Sequence, residues 1–410
     1  MRSLYSLLIA IHACLVNLAA PFSKKAKLWS SGRKNILKFL EEKCADKKNI
    51  VWFHCASLGE FEQGKPLMEK IKQEGNVTLL LTFFSPSGFE VKKNDPIADI
   101  VAYLPVDTQK NARKFIAIVK PQKVFFVKYE FWFNYIQELA KANIPFYYVS
   151  AIFRKNHYFF KSYGRWFLNQ LKKCSYFFVQ NENSKKLLHQ HGISNVSVTG
   201  DTRFDRVYTI AKQDYTLDFV ASFKNNKKLL VAGSTWMPDE KLLAKLFQKI
   251  QPDYKLVIAP HLVDHTHIEQ IRKLFASFST ICFSEIKEKD ISNYQILIID
   301  TIGLLSKIYK YADISYIGGA FKTGLHNTLE AAVFEKPIFF GTHYHKFIEA
   351  VELVKNGAAF PLSHADEMAE KIRSFENEPS SYMATCQLCK TYIAQNLGAT
   401  EKIFTIINHS

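Results

Sequence analysis

The chain has 410 residues, more than one ordinary hydrophobic core holds, and it suits two domains of roughly 200 residues each. Hydrophobic residues make up 48% and charged residues 22%, a globular balance that excludes a disordered or fibrous protein. Lysine and arginine outnumber aspartate and glutamate by 54 to 38, which leaves a net charge of +16 and indicates an anionic partner.

Three anionic partners fit this charge: nucleic acid, an anionic membrane surface, or a phosphorylated substrate. The sequence contains no zinc-finger spacing, no aromatic RNA-binding motif and no arginine-rich tail, so no nucleic-acid partner is expected. The seven cysteines are scattered and odd in number, which is typical of a reducing compartment. Cys386 and Cys389 form a lone CxxC pair in a predicted helix, and we interpret them as ordinary helix residues.

The N-terminal segment, residues 1–22, contains an apolar run from Leu4 to Ala20 that is slightly shorter than the ~20 residues that span a bilayer. A cleaved signal peptide, a short signal-anchor and a helix lying in the membrane interface are the alternatives. We predict a membrane anchor with the body on its cytoplasmic side, because a cluster of three lysines follows the run. We also predict that the domain behind it folds without it.

The first half of the chain alternates short apolar strands with amphipathic helices. Strands are predicted at Ile50–Ala56, Val77–Phe84, Lys123–Tyr129, Ile144–Ala151, Tyr176–Gln180 and Val196–Thr199, and helices at Phe61–Gln73, Thr108–Val119, Glu130–Ala142 and Ser184–His191. Continuous apolar strands separated by helices indicate a parallel sheet covered on both faces.

A second series of strands follows in the second half. It is predicted at Lys228–Gly233, Tyr254–Ala259, Ser279–Phe283, Tyr294–Ile299, Ile314–Gly318 and Pro337–Gly341. The polar segment after Gly200 separates the two series, so we predict domains at 23–205 and 206–410, with the last helices able to pack on the first domain. The fold class is therefore α/β, with two doubly wound domains that are expected to face each other across a cleft.

Two acidic residues follow strands of the first half. Glu60 ends His54-Cys-Ala-Ser-Leu-Gly-Glu60, a strand-to-helix turn, and Glu130 lies in Lys128-Tyr-Glu-Phe-Trp-Phe-Asn134. Each carboxylate suits acid–base chemistry at a sheet edge. Each is also explained as a first-turn helix acid that interacts with the helix dipole, and from position alone this is at least as good an interpretation.

Two turns of the second half suit a phosphate and a ribose. Ala232-Gly-Ser234-Thr235 ends a strand with two hydroxyls, and Gly318-Gly319 begins a turn that leads to His326-Asn327-Thr-Leu-Glu330. Backbone N–H groups of such turns bind phosphate, and a carboxylate one helical turn later accepts hydrogen bonds from ribose hydroxyls. A Gly-Gly turn alone is weak evidence, whereas the whole spacing with the following strand is specific.

The order of these motifs resembles the 3-deoxy-D-manno-octulosonic acid (Kdo) transferases of Gram-negative lipopolysaccharide synthesis. The resemblance covers nearly the whole chain through HCASLGE, KYEFWFN, TGDTRFD, AGST, IAP, DTIG and GGAFKTGLHNTLEAA. It implies a GT-B fold, CMP-Kdo as the donor substrate with no cofactor and no metal, and transfer to a lipid A precursor at the inner membrane.

The resemblance also implies roles for particular residues. Glu60 matches the general base and Glu130 a second acidic position, while the CMP-Kdo site is expected to comprise Ser234, Thr235, His261, Gly303, Gly318, Gly319, Asn327 and Glu330. His261 stands where many members have arginine, so Arg203 or Lys322 is an alternative source of that phosphate contact. A UDP-sugar transferase or epimerase and a non-catalytic nucleotide-sugar-binding scaffold are the alternative functions.

Overall fold

The computed structural model describes residues 1–322 and 324–409 and divides into two compact units. The first contains residues Met1–Arg206 together with the C-terminal segment from Leu397, and the second contains Val207–Asn396. Each unit is built on one parallel sheet of seven strands with helices between the strands. The predicted fold class, two doubly wound α/β domains, is confirmed.

The sheet of the first unit has the order β3-β2-β1-β4-β5-β6-β7. Its strands are β1 Ile50–Cys55, β2 Thr78–Phe83, β3 Ile100–Tyr103, β4 Lys123–Val127, β5 Phe146–Ala151, β6 Tyr176–Val179 and β7 Val196–Val198. The chain winds outward from β1 to β3 and then returns to place β4 against the other side of β1, with His54 opposite Phe126. The carboxyl ends of β1 and β4 therefore form a topological switch point, where such sheets bind ligands.

The helices of the first unit cover both faces of this sheet, so the residues of β1 are all buried. They are α1 Arg2–Ala19, α2 Lys24–Ser31, α3 Ile36–Cys44, α4 Leu58–Glu74, α5 Pro86–Lys92, α6 Gln109–Val119, α7 Phe133–Lys141, α8 Arg165–Leu171 and α9 Glu182–Gln190, and α10 Arg203–Lys212 crosses into the second unit.

The sheet of the second unit has the order β10-β11-β9-β8-β12-β13-β14. Its strands are β8 Lys228–Thr235, β9 Tyr254–Pro260, β10 Thr280–Cys282, β11 Ile296–Ile298, β12 Ile314–Ile317, β13 Ile338–Phe340 and β14 Ala359–Pro361. Its switch point lies between β8 and β12, where Gly233 is opposite Ile317.

The helices of the second unit range in length from four residues to 17. They are α11 Asp218–Lys224, α12 Met237–Ile250, α13 His265–Leu274, α14 Leu305–Ile308, α15 Leu329–Ala332, α16 Ile348–Lys355, α17 Ala365–Asn377 and α18 Pro379–Gln395, and the last helix of the chain is α19 Ala399–His409. Helix α19 belongs to the first unit, where Ile403 and Ile407 are buried with Phe53 and Phe61.

The N-terminal helix α1 is attached to the first unit along one side. The Arg2 guanidinium donates to Glu138 Oε1 at 2.6 Å, and the Tyr5 hydroxyl donates to Asp107 Oδ2 at 2.6 Å. Asp107 is buried, and burial raises the pKa of its carboxyl to about 6 although the hydrogen bond from Tyr5 lowers it. The Tyr5 ring also contacts Phe133 edge-on, with ring centroids 5.4 Å apart.

These contacts attach residues 1–22 to the first unit, and folding of the domain without them stays a prediction. Removing α1 would take one hydrogen bond from each carboxylate, but Asp107 keeps those from two backbone N–H groups, and Glu138 keeps its ion pair with Lys141. Hydrophobicity along the run predicts a membrane segment, whereas Arg2 and Tyr5 of the same helix bond to residues more than a hundred positions away.

Candidate active site

The first candidate site lies at the carboxyl ends of β1 and β4. Glu60 follows β1 in the first turn of α4, and Glu130 follows β4 in a loop that precedes α7. The predicted helix starts at Glu130, whereas the observed helix starts at Phe133. This difference matters because the loop conformation of residues 129–132 directs the Glu130 side chain back toward β1.

Glu60 is held by the N-terminus of its own helix. Its Oε2 accepts hydrogen bonds from the Ser57 backbone N–H at 3.1 Å and from the Ser57 hydroxyl. This is a capping box, so the alternative interpretation of Glu60 as a first-turn helix acid describes a real contact. In the part of the chain that the structure describes, Oε1 accepts no hydrogen bond, and the side chain is partly exposed. One oxygen therefore orients the carboxylate and the other is available to a ligand.

Glu130 belongs to a buried hydrogen-bonded chain. Its Oε2 is 3.1 Å from His54 Nε2 and accepts a hydrogen bond from Trp132 Nε1 at 2.8 Å. On the other side of the ring, His54 Nδ1 is 2.8 Å from the hydroxyl of Thr82. The His54 ring is thereby held at both nitrogens, between the Thr82 hydroxyl and the Glu130 carboxylate. The arrangement fixes the position of Glu130.

His54 and Thr82 were not among the predicted site residues. His54 lies inside the HCASLGE motif, and the signal that was available is a histidine near the end of a strand that is otherwise apolar. Its partner was not predictable, because Glu130 is 76 positions away in the sequence. Only the adjacency of β1 and β4 in the sheet brings the two together.

The second candidate site lies at the carboxyl ends of β8 and β12. Ser234 adopts a left-handed backbone conformation with φ of 54°, which is costly for a serine and marks a tight turn at the sheet edge. The neighbouring Thr235 is buried, and its hydroxyl donates to Glu240 Oε1 at 2.9 Å. Of the two hydroxyls predicted to bind the donor, that of Thr235 therefore already donates a hydrogen bond within the protein.

Gly318 and Gly319 allow β12 and β8 to approach each other closely. A Cβ atom on Gly318 would lie 2.3 Å from the carbonyl oxygen of Ser234, and Gly319 has φ of 93°. The Gly318 N–H donates to Gly233 and the Gly319 N–H donates to Asp239 Oδ2, both at 2.9 Å. These bonds do not fit the expectation that the N–H groups of this turn hold a phosphate, and they indicate a steric role for both glycines.

His261 lies between two other rings. Its ring stacks on Trp236 with centroids 4.7 Å apart and on His326 with centroids 4.5 Å apart. Burial lowers the pKa of His261, while burial and the nearby His261 lower the pKa of His326 to about 4. Both rings are therefore neutral at pH 7, so His261 offers a phosphate a hydrogen bond rather than the positive charge of an arginine.

Of the remaining predicted residues, Gly303 and Asn327 lie on the loops after β11 and β12, and Glu330 lies in α15. Asn327 Nδ2 donates to Glu330 Oε1 at 3.0 Å, as expected for residues three positions apart at the start of a helix. Gly303 lies in an exposed turn after Asp300, whose carboxylate accepts hydrogen bonds from Ser284. Thr323, within the GGAFKTGLHN motif, lies outside the described residues.

A cavity of about 570 Å³ opens beside these residues in the second unit. It is lined by Trp236, Met237, Pro238, Asp239, Lys241, His267, Gly319, Phe321 and Lys322. Its volume is within the range of small-molecule sites, and it combines an aromatic wall with two lysines. In residues 1–322 and 324–409, no group of three or more His, Cys, Asp or Glu residues is arranged to hold a metal ion.

Comparisons with known proteins identify relatives for most of the chain. Residues 32–206 match the model of a family described as 3-deoxy-D-manno-octulosonic-acid transferase (kdotransferase). The 3-deoxy-D-manno-octulosonic acid transferase of Aquifex aeolicus is 25% identical over 342 residues, which cover 82% of this chain and 88% of that protein.

A second relative is a bifunctional glycosyltransferase/methyltransferase of Fusobacterium nucleatum, which is 26% identical over 368 residues. The match covers 84% of this chain and 56% of that protein, so this chain spans a little over half the length of that relative.

Among solved structures, UDP-GlcNAc 2-epimerase from Neisseria meningitidis bound to UDP-GlcNAc aligns with a TM-score of 0.63 and 16% identity. The alignment covers 88% of this chain and all (100%) of that chain. A UDP-N-acetylglucosamine 2-epimerase from Listeria monocytogenes, called putative in its description, aligns with a TM-score of 0.61 and 14% identity over 88% of this chain and 96% of the other. At these identities the likeness shows the fold alone.

The two parallel seven-stranded units, with ligand-binding switch points in both sheets, have the GT-B fold. Over residues 32–206 the chain is similar to the Kdo transferase family, and its relatives include a Kdo transferase. The resemblance that the ordered motifs predicted is thereby confirmed, whereas the epimerases share only the fold.

Proposed function

We propose that this protein transfers Kdo from CMP-Kdo to a lipid A precursor, lipid IVA, in lipopolysaccharide biosynthesis. The observation that carries this proposal is the Glu60 carboxylate, which has one oxygen fixed by its helix cap and the other available at the β1/β4 switch point. The match of residues 32–206 to the Kdo transferase family model supports the choice of sugar and donor.

In the proposed mechanism, Glu60 is the general base. It removes the proton of the acceptor hydroxyl while that oxygen forms a bond to the anomeric carbon of Kdo, and the bond to CMP breaks with its electron pair on the phosphate. Attack opposite the leaving group inverts the anomeric configuration. General base catalysis of this kind contributes ~10²–10⁴-fold to the rate. The transferred sugar passes through an oxocarbenium-like state, and no metal is required if dipoles and cations stabilise the leaving phosphate.

We assign Glu130 to the same site as a second acidic residue that acts through its position. Its side chain is buried between His54 and Trp132, whereas Glu60 is partly exposed, so Glu130 is less accessible to an acceptor hydroxyl. A buried carboxylate held in this way supplies a fixed negative charge beside the β1 edge. Such a charge favours the positively charged oxocarbenium-like state of the sugar.

We assign the donor to the second unit, with the residues named from the family resemblance: Ser234, Thr235, His261, Gly303, Gly318, Gly319, Asn327 and Glu330. The contacts described above support unequal roles. Thr235 and the two glycines shape the turn, Ser234 and the neutral His261 are available for hydrogen bonds to the phosphate, and Glu330 accepts hydrogen bonds from ribose hydroxyls.

The donor assignment predicts the effect of Glu330→Ala. We expect CMP affinity to fall by ~1–3 kcal/mol, because a charge-assisted hydrogen bond to ribose is lost. Glu370, an exposed glutamate on α17 of the same unit, provides the matched control, and Glu370→Ala is expected to bind CMP like the parent. Calorimetry with CMP measures both variants, and unchanged affinity in Glu330→Ala would remove Glu330 from the ribose site.

We further propose that α1 holds the protein at the inner membrane, with the body on the cytoplasmic side, and lies along the surface of the bilayer. The helix has 18 residues and a mean hydropathy of 1.4, so its length and composition are also compatible with spanning. Its attachment to the first unit through Arg2 and Tyr5 supports the surface orientation, because a spanning helix would have to leave these partners. The opposite side is an apolar stripe formed by Leu4, Leu7, Leu8, Ile11, Leu15 and Leu18.

The decisive experiment is mass spectrometry of the product made from CMP-Kdo and tetra-acylated lipid A precursor in the presence of EDTA. We expect a product heavier by one or more Kdo residues. Product from a UDP-sugar but not from CMP-Kdo would support the alternative transferase or epimerase. Donor binding without any product would support the non-catalytic scaffold, and activity that requires added Mg²⁺ would contradict metal independence.

A further inference from the structure

Most cations near Glu60 are neutralised by neighbouring carboxylates. Arg203 pairs with Asp201 at 2.7 Å, and Arg206 pairs with Glu62 at 2.9 Å. Lys128 and Arg154 differ, since within the described ranges neither has a carboxylate at ion-pair distance or a side-chain hydrogen bond. Two cations without counter-charges at a ligand-binding edge provide a place for an anion.

Lys128 and Arg154 lie around one aromatic ring. Lys128 Nζ is 5.5 Å and Arg154 Cζ is 5.9 Å from the centroid of the Tyr129 ring. Burial raises the pKa of Tyr129, while the charge of Arg154 lowers it and the charge of Glu60 raises it, so both charges act at this ring. The strands β1, β4 and β5 are neighbours in the sheet, and Glu60, Lys128 and Arg154 follow their respective carboxyl ends.

The backbone of Lys128 supplies an independent indication. Its φ is 69°, a left-handed conformation that glycine adopts freely and that lysine adopts at a cost. Its N–H donates to the Val149 carbonyl oxygen at 2.8 Å, which needs no particular side chain. A lysine at a position where glycine would be less strained indicates that its side chain has a use at this edge.

We propose that Lys128 and Arg154 bind a phosphate monoester of the acceptor and thereby position the acceptor hydroxyl at Glu60. This inference rests on the proposed function, because it identifies the acceptor with the anion. A guanidinium binds phosphate oxygens in bidentate fashion, and the ammonium adds a second positive charge. The two residues are positioning residues that recognise a phosphorylated acceptor.

The test measures acceptor binding without donor and without turnover. The probes are a tetra-acylated glucosamine disaccharide bisphosphate and its dephosphorylated form, both in neutral detergent micelles. For Arg154→Gln and for Lys128→Gly we expect Kd for the bisphosphate to rise about tenfold, the ratio that 1.4 kcal/mol produces. Binding of the dephosphorylated probe is expected to stay at the parent value in both variants.

Lys155→Gln is the matched control, because Lys155 is an exposed neighbour of Arg154 and has no contact with the Tyr129 ring among the described residues. We expect it to bind both probes like the parent. Lys128→Gly also separates binding from stability: its thermal midpoint is expected to equal or exceed that of the parent, since glycine relieves the left-handed strain. If the thermal midpoint fell and both probes bound equally more weakly, Lys128 would have a structural role, and the proposal would be overturned.

Two further outcomes would also overturn the proposal that Lys128 and Arg154 bind the acceptor phosphate. The first is an equal rise in Kd for the phosphorylated and dephosphorylated probes. The second is unchanged probe binding together with weaker binding to phosphatidylglycerol vesicles, which would assign the two cations to the lipid surface. Because turnover is not measured, a lack of Kdo transfer would contradict the proposed function while these binding results would still decide the role of Lys128 and Arg154.

Discussion

Glu60→Gln is expected to lower the rate of transfer by ~10²–10⁴-fold and to leave the folded protein as stable as the parent. Glutamine cannot remove the acceptor proton at neutral pH. It retains the capping box, however, because its side-chain oxygen accepts the same hydrogen bonds from Ser57. The variant therefore separates catalysis from the helix-capping role of the same side chain, and single-turnover rates together with thermal unfolding measure the two effects.

The control for Glu60→Gln is Glu74→Gln, since Glu74 is an exposed glutamate at the other end of the same helix. We expect Glu74→Gln to transfer Kdo at the parent rate. CMP affinity is expected to be unchanged in both variants, because Glu60 is in the first unit and the proposed donor site is in the second. If CMP binding fell in parallel with activity, the assignment of Glu60 to the acceptor would be wrong.

The second large effect is expected from the exposed side of α1. Replacing Leu7, Ile11 and Leu15 together by serine removes three apolar side chains that are 46–59% exposed. If each contributes ~1.5 kcal/mol or more by burial in lipid, binding to anionic vesicles falls by roughly 10³-fold. The thermal midpoint is expected to stay constant, because these side chains face away from the bonds of Arg2 and Tyr5.

Vesicle sedimentation measures this loss, and Met383→Ser provides a control with an equally exposed apolar residue in the second unit. The triple variant should transfer Kdo slowly to acceptor in vesicles and at the parent rate to acceptor in micelles, because membrane attachment raises the local concentration of the acceptor. Equal vesicle binding of the triple variant and the parent would show that the basic surface of the body, and not α1, binds the membrane.

The course of the strands was largely predictable from sequence, and the exceptions have a common cause. Two strands were missed: β3, which has four residues, and β14, which has three and ends in proline. Both lie at sheet edges, where few residues are needed and where proline is tolerated. A short edge strand has too few residues to display a periodicity.

The candidate site was predictable in its positions but not in its contacts. Glu60 and Glu130 were found because each follows an apolar run, and the turn at Gly318 because two glycines follow another. The hydrogen-bond partners of those residues lie far away in the sequence. Glu130 is bound by His54, and the Gly319 N–H donates to Asp239, 80 positions away. Asp239 offered a weak signal as an acid in the first turn of a helix.

The sequence by itself determined the two α/β domains, the strand ends where ligands bind, the apolar N-terminal helix and the resemblance to the Kdo transferases, since all of these depend on local order along the chain. Only the tertiary structure decided which groups are still available to a ligand. It assigned the Gly318 and Gly319 N–H groups to partners within the protein, left one oxygen of Glu60 available, and attached α1 to the first unit through Arg2 and Tyr5. The physical reason is that a hydrogen bond depends on distance in space, and the winding of the sheet brings together residues that the sequence separates.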